Sequence, residues 1–269
     1  MDDTVMTALA GPAPALQPGR RLAGKVCLVT GGGSGIGRAT ALRFAQEGAA
    51  AVIVAGRRRT EGEAVASEVV QAGVGALFVA TDVTQEEDAA ALVDVVVARF
   101  GRLDVAFNNA GLQERRAALA DQSDAVYAQV FDTNVRALFN GMRFQIAAML
   151  KGGGGTIVNN TSVSGLRNPN PGLSLYSASK AAAIALTRAA AMEYAPHGVR
   201  INAVAPGRVV TDMMLASGIA DMSAVAAGLP LRRMGRPEEV AAAVSWLASD
   251  EASYIVGHVL CADGGFLAG

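Results

Sequence analysis

The sequence contains little cysteine, little histidine and little charge of either sign. Its 269 residues include two cysteines and two histidines, and only 17% of them are charged, against 51% that are hydrophobic. A chain this apolar can bury a large core, which excludes global disorder. Its net charge of −1 argues against nucleic acid or an anionic membrane as the main partner. Cys27 and Cys261 each lie in an apolar run, which predicts buried thiols rather than a disulfide framework or a metal site.

Long apolar runs and a basic N-terminus are also missing. No stretch of about 18 or more apolar residues occurs, so we predict that no helix spans a membrane. The first 20 residues carry two aspartates where a signal peptide has lysine or arginine, and they are rich in Ala, Pro and Gly. We therefore predict a flexible extension over residues 1–20, a single domain over residues 21–269 and a cytoplasmic location.

From Lys25 onward, short apolar runs alternate with longer amphipathic ones. The short runs are rich in Val and Ile, as strands buried on both faces of a parallel sheet are. They are KVCLVT, AAVIVA, GALFVA, LDVAFN, GTIVNNTS, VRINAVAP and GHVLCADGG. The amphipathic segments predict helices over Gly35–Glu47, Thr60–Ala72, Gln85–Phe100, Ser123–Leu150, Ser177–Tyr194 and Pro237–Ala248. This alternation predicts the α/β class, with one doubly wound, mostly parallel seven-stranded sheet and helices on both faces.

A glycine-rich stretch, TGGGSGIG, follows the first predicted strand. It does not fit the common dinucleotide pattern G-x-G-x-x-G, but Gly31, Gly35 and Gly37 form T-G-x-x-x-G-x-G. At a strand–turn–helix junction, the backbone amides and the helix N-terminus can hold a pyrophosphate. Gly37 lets the helix approach the sheet closely. The alternative interpretation is a flexible turn without a ligand.

The segment YSASK places Tyr176 and Lys180 four residues apart, on one face of a predicted helix. A free phenol has a pKa near 10, and a neighbouring ammonium favours the phenolate and lowers that pKa. Such pairs also arise by chance on helices. Ser162, fourteen residues earlier in TSVSG, ends a strand and can hydrogen-bond a substrate oxygen. Asn108 to Gly111 lie at the end of another predicted strand. They can belong to the same site, or they can simply form a turn at the edge of the sheet.

These motifs, in this order and spacing, resemble the short-chain dehydrogenase/reductase family of about 250 residues, from about Leu22 onward. The matching stretches include TGGGSGIG, NNAG, YSASK, NAVAPGRVVT and YIVGHVLCADGG. The resemblance implies a Rossmann domain and an oxidoreductase that transfers hydride without a metal. It implies that Tyr176 is the general acid/base, that Lys180 lowers its pKa and that Ser162 orients the substrate oxygen. It further implies that Asn134 orders a water in the proton relay.

The resemblance also implies a nicotinamide cofactor and a homotetramer or dimer. In the tetramer, the helix through residues 134–150 and the Tyr176 helix pair between subunits, and the last strand forms a second interface. The implied cofactor residues are Gly31, Ser34, Gly35, Ile36, Gly37, Arg57, Asp82, Val83, Asn109, Ala110, Gly111, Tyr176, Lys180, Pro206, Gly207, Val209 and Thr211.

The end of the second predicted strand indicates which nicotinamide cofactor is used. An NAD(H) site has Asp or Glu there, about 20 residues past the glycine loop, to bind the ribose 2′-hydroxyl. Here Gly56 stands at that position and Arg57, Arg58 and Arg59 follow. We therefore favour NADP(H), with Arg57 binding the 2′-phosphate and Ser34 helping. NAD(H) remains possible, because the arginines also fit a solvated loop.

The substrate is less defined than the chemistry. A secondary alcohol or ketone is the leading interpretation. The rivals are a 3-oxoacyl-thioester reductase, a sugar or polyol dehydrogenase, and a non-catalytic nucleotide-binding relative. The predicted substrate loop over residues 212–234 favours an apolar substrate, because it contains Met213, Met214, Leu215, Met222 and Leu229.

Overall fold

The computed structural model describes residues 3–11, 19–168 and 171–269. The strands are β1 (Val26–Thr30), β2 (Ala51–Gly56), β3 (Gly75–Ala80), β4 (Val105–Asn108), β5 (Gly155–Asn160), β6 (Val199–Pro206) and β7 (Val259–Ala262). The helices are α1 (Asp3–Ala10), α2 (Gly35–Gln46), α3 (Arg59–Gln71), α4 (Glu86–Phe100), α5 (Asp124–Phe131), α6 (Ala137–Lys151), α7 (Ser174–Tyr194), α8 (Asp212–Leu215), α9 (Met222–Gly228) and α10 (Pro237–Ala248).

The seven strands form one sheet in the order β3-β2-β1-β4-β5-β6-β7. Every pairing between them is parallel. The order reverses between β1 and β4, so the connections after these two strands leave on opposite sides of a crevice. Ligands of doubly wound sheets bind in this crevice, outside the carboxyl ends of the strands. The predicted fold class is confirmed, and the sheet is fully parallel.

Alternate strand residues build two cores, one on each face of the sheet. On one face, strand residues such as Val29 pack with α2, α3 and α10, where Phe44 is fully buried. On the other face, residues such as Leu28 pack with α4, α6 and α7, where Met149 is fully buried. Burying both faces accounts for the nearly continuous apolar runs of the strands. Helices cover both faces, as predicted.

The N-terminal segment differs from the predicted flexible extension. Residues 3–10 form α1, and its last residue, Ala10, is only 1% exposed. Leu9 O accepts a hydrogen bond from Met234 N at 2.9 Å, and Gly11 O accepts two from the Arg236 guanidinium, at 2.9 and 2.6 Å. Residues 12–18 lie outside the described residues. The prediction was wrong for residues 3–11 because composition does not reveal the surface on which α1 packs.

Other differences are local. The helix predicted over residues 123–150 contains a wide π-helical turn over Asp132–Arg136, and the segment at 212–234 contains α8 and α9. Cys27 is buried as expected, but Cys261 is exposed on β7, the edge strand, so its prediction as a buried thiol was wrong.

None of the helices in the described ranges has both the length and the apolar character of a membrane span.

Candidate active site

The glycine loop after β1 packs too closely for side chains at its key positions. A Cβ on Gly37 would lie 2.2 Å from Gly31 O, so only glycine lets α2 begin directly against the loop. Gly31 and Gly35 have φ of 60° and 51°, values that L side chains rarely adopt. The Asn109 side-chain amide donates to Thr30 O and Gly31 O, both at 3.1 Å, and thereby ties the loop to the end of β4.

A cavity of about 350 Å³ lies beside this loop, at the carboxyl ends of the strands. Most of the site residues predicted from the sequence line it: Gly31, Ser34, Gly35, Ile36, Arg57, Asp82, Val83, Asn109, Ala110, Gly111, Ser162, Tyr176, Lys180, Pro206, Gly207, Val209 and Thr211. The cavity thus extends from the N-terminus of α2 to the Tyr176 phenol. Gly37 and Asn134 do not line the cavity, but Gly37 lies against Gly31 and Asn134 lies against Gly111, both of which do.

Tyr176 lies in the first turn of α7 and is hydrogen-bonded to Ser162, the residue that caps a short turn after β5. Burial raises the pKa of the Tyr176 phenol, and the hydrogen bond from Ser162 lowers it. Two charged groups also act on this pKa: the Glu114 carboxylate raises it and the Arg208 guanidinium lowers it. The pKa of Tyr176 therefore depends on neighbouring charges as well as on burial.

Lys180 lies one turn further along α7 and is 4% exposed. Its ammonium donates a hydrogen bond to Asn160 O at 2.8 Å and lies 5.8 Å from the centroid of the Tyr176 ring. Burial lowers the pKa of Lys180 to about 8. The predicted lowering of the Tyr176 pKa by Lys180 remains a prediction, since Ser162 and Arg208 are the groups seen to lower it.

Asn134 lies in the π-helical turn and is 3% exposed. Its side-chain oxygen accepts from Leu112 N at 2.8 Å, and its amide donates to Leu112 O at 2.8 Å and to Ser179 Oγ at 2.9 Å. The side chain thus fixes the segment after β4 to α7, next to Lys180. Wide helical turns of this kind are frequent at functional sites. The predicted role of Asn134 in ordering a water is not tested by these contacts.

The three arginines after β2 have different surroundings. Gly56, Arg57 and Arg58 line the cavity, and Arg59 does not. Arg58 donates to Ser34 Oγ at 2.7 Å, across the mouth of the glycine loop. Arg59 forms an ion pair within α3 and faces the Phe78 ring. Arg57 is exposed, and no hydrogen bond or ion pair joins it to the part of the chain that the structure describes.

Comparison with known proteins identifies the family. A family model described as enoyl-(acyl carrier protein) reductase matches residues 31–267. The crystal structure of a short-chain type dehydrogenase/reductase from Mycobacterium marinum superposes with a TM-score of 0.87 at 37% identity, covering 92% of this chain and 97% of that one. The chain belongs to the short-chain dehydrogenase/reductase family. Its relatives are named dehydrogenases and reductases, and it is an oxidoreductase.

Three curated members of this family illustrate the range of substrates. A cis-4-hydroxycyclohexanecarboxylate dehydrogenase from Sinomonas cyclohexanicum is 43% identical over 93% of this chain and 99% of its own length. An A-factor type γ-butyrolactone 1′-reductase from Streptomyces virginiae is 42% identical over 91% and 96%. A 3-oxoacyl-[acyl-carrier-protein] reductase from Thermotoga maritima is 40% identical over 92% and 99%.

Two charged residues of this dehydrogenase/reductase site were missed by the sequence analysis. Glu114 is 5% exposed, and its carboxylate accepts hydrogen bonds from Leu175 N at 3.1 Å and Tyr176 N at 3.0 Å, at the N-terminus of α7. Arg208 lines the cavity in the loop after β6. Arg208 lies inside NAVAPGRVVT, so the sequence motif had identified the segment but not this residue. The position of Glu114 in the sequence gives no such signal, because 60 residues separate it from α7.

Proposed function

We propose that this oxidoreductase interconverts a secondary alcohol and a ketone, with NADP(H) as the favoured cofactor and Tyr176 as general acid/base. The observation that supports this most strongly is the shared cavity. The glycine loop, Ser162, Tyr176 and Lys180 all line it, so a nucleotide and a small substrate fit side by side.

The residues present fit a nicotinamide dinucleotide. The loop packs so closely that a Cβ on Gly31 would lie 3.0 Å from Ala110 Cα. Helix α2 begins at Gly35, which lines the cavity, and a helix N-terminus there favours a pyrophosphate. Asp82 and Val83 would border the adenine, Asn109 to Gly111 would line the groove, and Pro206 to Thr211 would lie near the nicotinamide. When bound, the cofactor supplies or accepts the hydride.

The chain's own residues move the proton. In the reductive direction, the Tyr176 hydroxyl donates its proton to the carbonyl oxygen, while Ser162 holds that oxygen by a hydrogen bond. In the oxidative direction, the Tyr176 phenolate accepts the proton of the alcohol. Lys180 holds the cofactor ribose and supports the phenolate. A general acid/base must lie within hydrogen-bond reach of the proton that it transfers, and Ser162 and Tyr176 are already hydrogen-bonded to each other.

The preference for NADP(H) is supported by the surroundings of Gly56. Glycine at this position leaves no carboxylate to repel a 2′-phosphate. Arg57 is exposed at the cavity, where it can form charge-assisted hydrogen bonds to a phosphate. Arg58, which contacts Ser34, adds positive charge at the same place. NAD(H) use remains the alternative.

The relatives support an alcohol or ketone on a ring as the substrate. One of them is named for 4-hydroxycyclohexanecarboxylate, a cyclic secondary alcohol, and another relative is named a cyclohexanol dehydrogenase. Met213 and Met214 line the cavity and offer an apolar surface to such a ring. A 3-oxoacyl-thioester reductase is the runner-up, because a relative of that name is nearly as similar. A sugar or polyol dehydrogenase is a third candidate, and a non-catalytic relative is the least favoured.

The test is a steady-state assay of the purified chain with NADP(H) and NAD(H), each combined with cyclohexanol, cyclohexanone, a 3-oxoacyl thioester and a polyol. We expect turnover of the cyclic alcohol and ketone, with NADP(H) preferred. Turnover of only the thioester would support the runner-up. Absence of cofactor oxidation or reduction with every substrate would contradict the proposed reaction.

Two further proposals concern the whole protein. We propose a homotetramer, with a dimer as the alternative, and a cytoplasmic location. Both come from the sequence and the family resemblance.

A further inference from the structure

The cavity has a cationic side chain beside the predicted reaction centre. Arg208 is half-buried and lines the cavity together with Ser162 and Tyr176. It follows β6, and Ser162 follows the neighbouring strand β5, so both residues lie at the same edge of the sheet. This cation is separate from the arginines after β2, which flank the glycine loop.

The backbone that carries Arg208 is fixed on both sides. A Cβ on Gly207 would lie 2.8 Å from Asp263 Cα, so the preceding residue packs directly against the chain after β7. Arg208 O accepts a hydrogen bond from Gly235 N at 2.8 Å, and Val210 N donates to Gly235 O at 2.9 Å. The guanidinium lies 6.0 Å from the centroid of the Phe266 ring. Arg208 is therefore held in place before any substrate arrives.

A second arginine, Arg116, acts electrostatically on Arg208. Arg116 is anchored by hydrogen bonds to Pro171 O at 2.9 Å and to Ser217 O at 3.3 Å. Burial lowers the pKa of Arg208, the Arg116 charge lowers it further, and the Tyr176 phenol acts in the opposite direction. Positive charge at a partly buried site favours the binding of an anion there.

We propose that the substrate carries a carboxylate and that Arg208 binds it, with Arg116 adding positive charge. This inference rests on the proposed alcohol and ketone chemistry and names the substrate class. A guanidinium recognises a carboxylate through two parallel hydrogen bonds, which fixes the orientation of the ligand as well as its charge. Met213 and Met214 then contact the apolar part of the molecule. Among the described residues, two acids line the cavity: Asp212 is exposed, and Asp82 follows β3, which four other strands separate from β6 in the sheet.

The test is isothermal titration of the full chain, saturated with oxidised cofactor, with cyclohexanecarboxylate and with its neutral analogue cyclohexanecarboxamide. We expect the carboxylate to bind the wild type at least tenfold more tightly than the amide. Arg208→Met should reduce this ratio to within about threefold, and Arg208→Lys should leave an intermediate ratio. Arg99→Met is the matched control, since Arg99 is exposed on α4, outside the cavity and the predicted interface helices, and this variant should leave the ratio unchanged.

Equal binding of the two ligands to the wild type would overturn the inference, and so would an unchanged ratio in Arg208→Met. Neither ligand has a hydroxyl to oxidise, so their binding is measured independently of turnover. Oxidation of cyclohexanol, which is neutral, separately tests the proposed function. If the wild type oxidises cyclohexanol but does not distinguish the carboxylate from the amide, the proposed function is supported and the carboxylate site is excluded.

Discussion

At the scale of single residues, the Tyr176 hydroxyl determines whether the proposed reaction can occur. Tyr176→Phe keeps the ring and its packing but removes the transferable proton. We expect kcat to fall by roughly 10²–10⁴, the contribution typical of a general acid/base. Steady-state assays in both directions measure this, and cofactor binding by fluorescence should change little. Tyr254→Phe, at a fully exposed tyrosine, is the control. Activity of Tyr176→Phe within a few-fold of wild type would exclude the assigned role.

A second prediction at this scale concerns the cofactor. We expect kcat/KM of the wild type to favour NADP(H) at least tenfold, about 1.4 kcal/mol. Arg57→Ala should remove most of this margin, because Arg57 is exposed at the cavity and has no hydrogen bond or ion pair to the described residues. Arg58 is also exposed there, but it is bound to Ser34 and Glu61. Arg59→Ala should leave the margin intact, because that side chain pairs within α3. A wild type that prefers NAD(H) would show that our interpretation of Gly56 and Arg57 is wrong.

Sequence patterns identified residues whose positions follow from regular elements. Ser162 and Asn109 end parallel strands, so their meeting at one sheet edge follows from the topology. Tyr176 and Lys180 lie one helical turn apart. Glu114 could not be predicted in the same way, because its contact with α7 depends on the path of the loop after β4. Such irregular segments carry no periodic signal.

At the scale of elements, the N-terminus of α7 is held by the carboxylate of Glu114. This charge raises the pKa of Tyr176, so Glu114→Gln should lower that pKa. Oxidation needs the phenolate and its rate therefore rises with pH up to this pKa. We expect the rise of kcat to begin at lower pH in Glu114→Gln than in the wild type. The glutamine oxygen can still accept from the helix amides, which preserves the position of α7.

The control for this pH shift is Glu87→Gln, at an exposed glutamate on α4, outside the predicted interface helices. Its pH profile should coincide with that of the wild type. A Glu114→Gln enzyme with reduced kcat but an unmoved profile would indicate that Glu114 only positions the helix and has no electrostatic effect on Tyr176.

The second element with a testable role is α1. Helices of eight residues are marginal in isolation, so α1 depends on its packing partners. Ala10 lies in a cluster with Val210, Leu229 and Met234, against which Met214 of the cavity wall also packs. A buried carboxylate is costly, so Ala10→Asp should detach α1, lower Tm and raise KM for the substrate several-fold. Ala8→Asp, on the exposed face of the same helix, should do neither.

These variants are compared by thermal unfolding, steady-state kinetics and cofactor binding. The cofactor Kd should change less than KM, since the cluster that holds α1 includes Val210 but no residue of the glycine loop. If Ala10→Asp lowers Tm without changing KM, α1 contributes to stability alone.

At the scale of the whole molecule, apolar side chains remain exposed on two of the predicted interface elements. Phe139 and Leu150 on α6 are 45% and 42% exposed, and Met192 on α7 is 76% exposed. We expect sedimentation at micromolar concentration to give a species of four chains of 27.4 kDa. Phe139→Glu should weaken this assembly, and Val70→Glu, at an exposed valine on α3, should not. A monomeric wild type would contradict the prediction. The apolar character of these helices would then only reflect their packing on the sheet.

The fold was predictable from the sequence to the level of strand number and helix placement, because burial on both faces of the sheet gives the strands their composition. The interruption of the long helix at Asn134 was not predictable, since Asp132–Arg136 contains no glycine or proline to mark it. The helix over residues 3–10 was also missed, because it depends on contacts with a segment more than 200 residues away.

The N-terminal helix and Phe266, near the other end of the chain, pack on the same cluster. Leu9 and Met6 approach it from one terminus and Phe266 from the other, with the loop at 212–234 between them. Substrate preference in such a molecule can therefore change through substitutions in these two distant segments, while the proton-transfer residues at the sheet edge stay as they are.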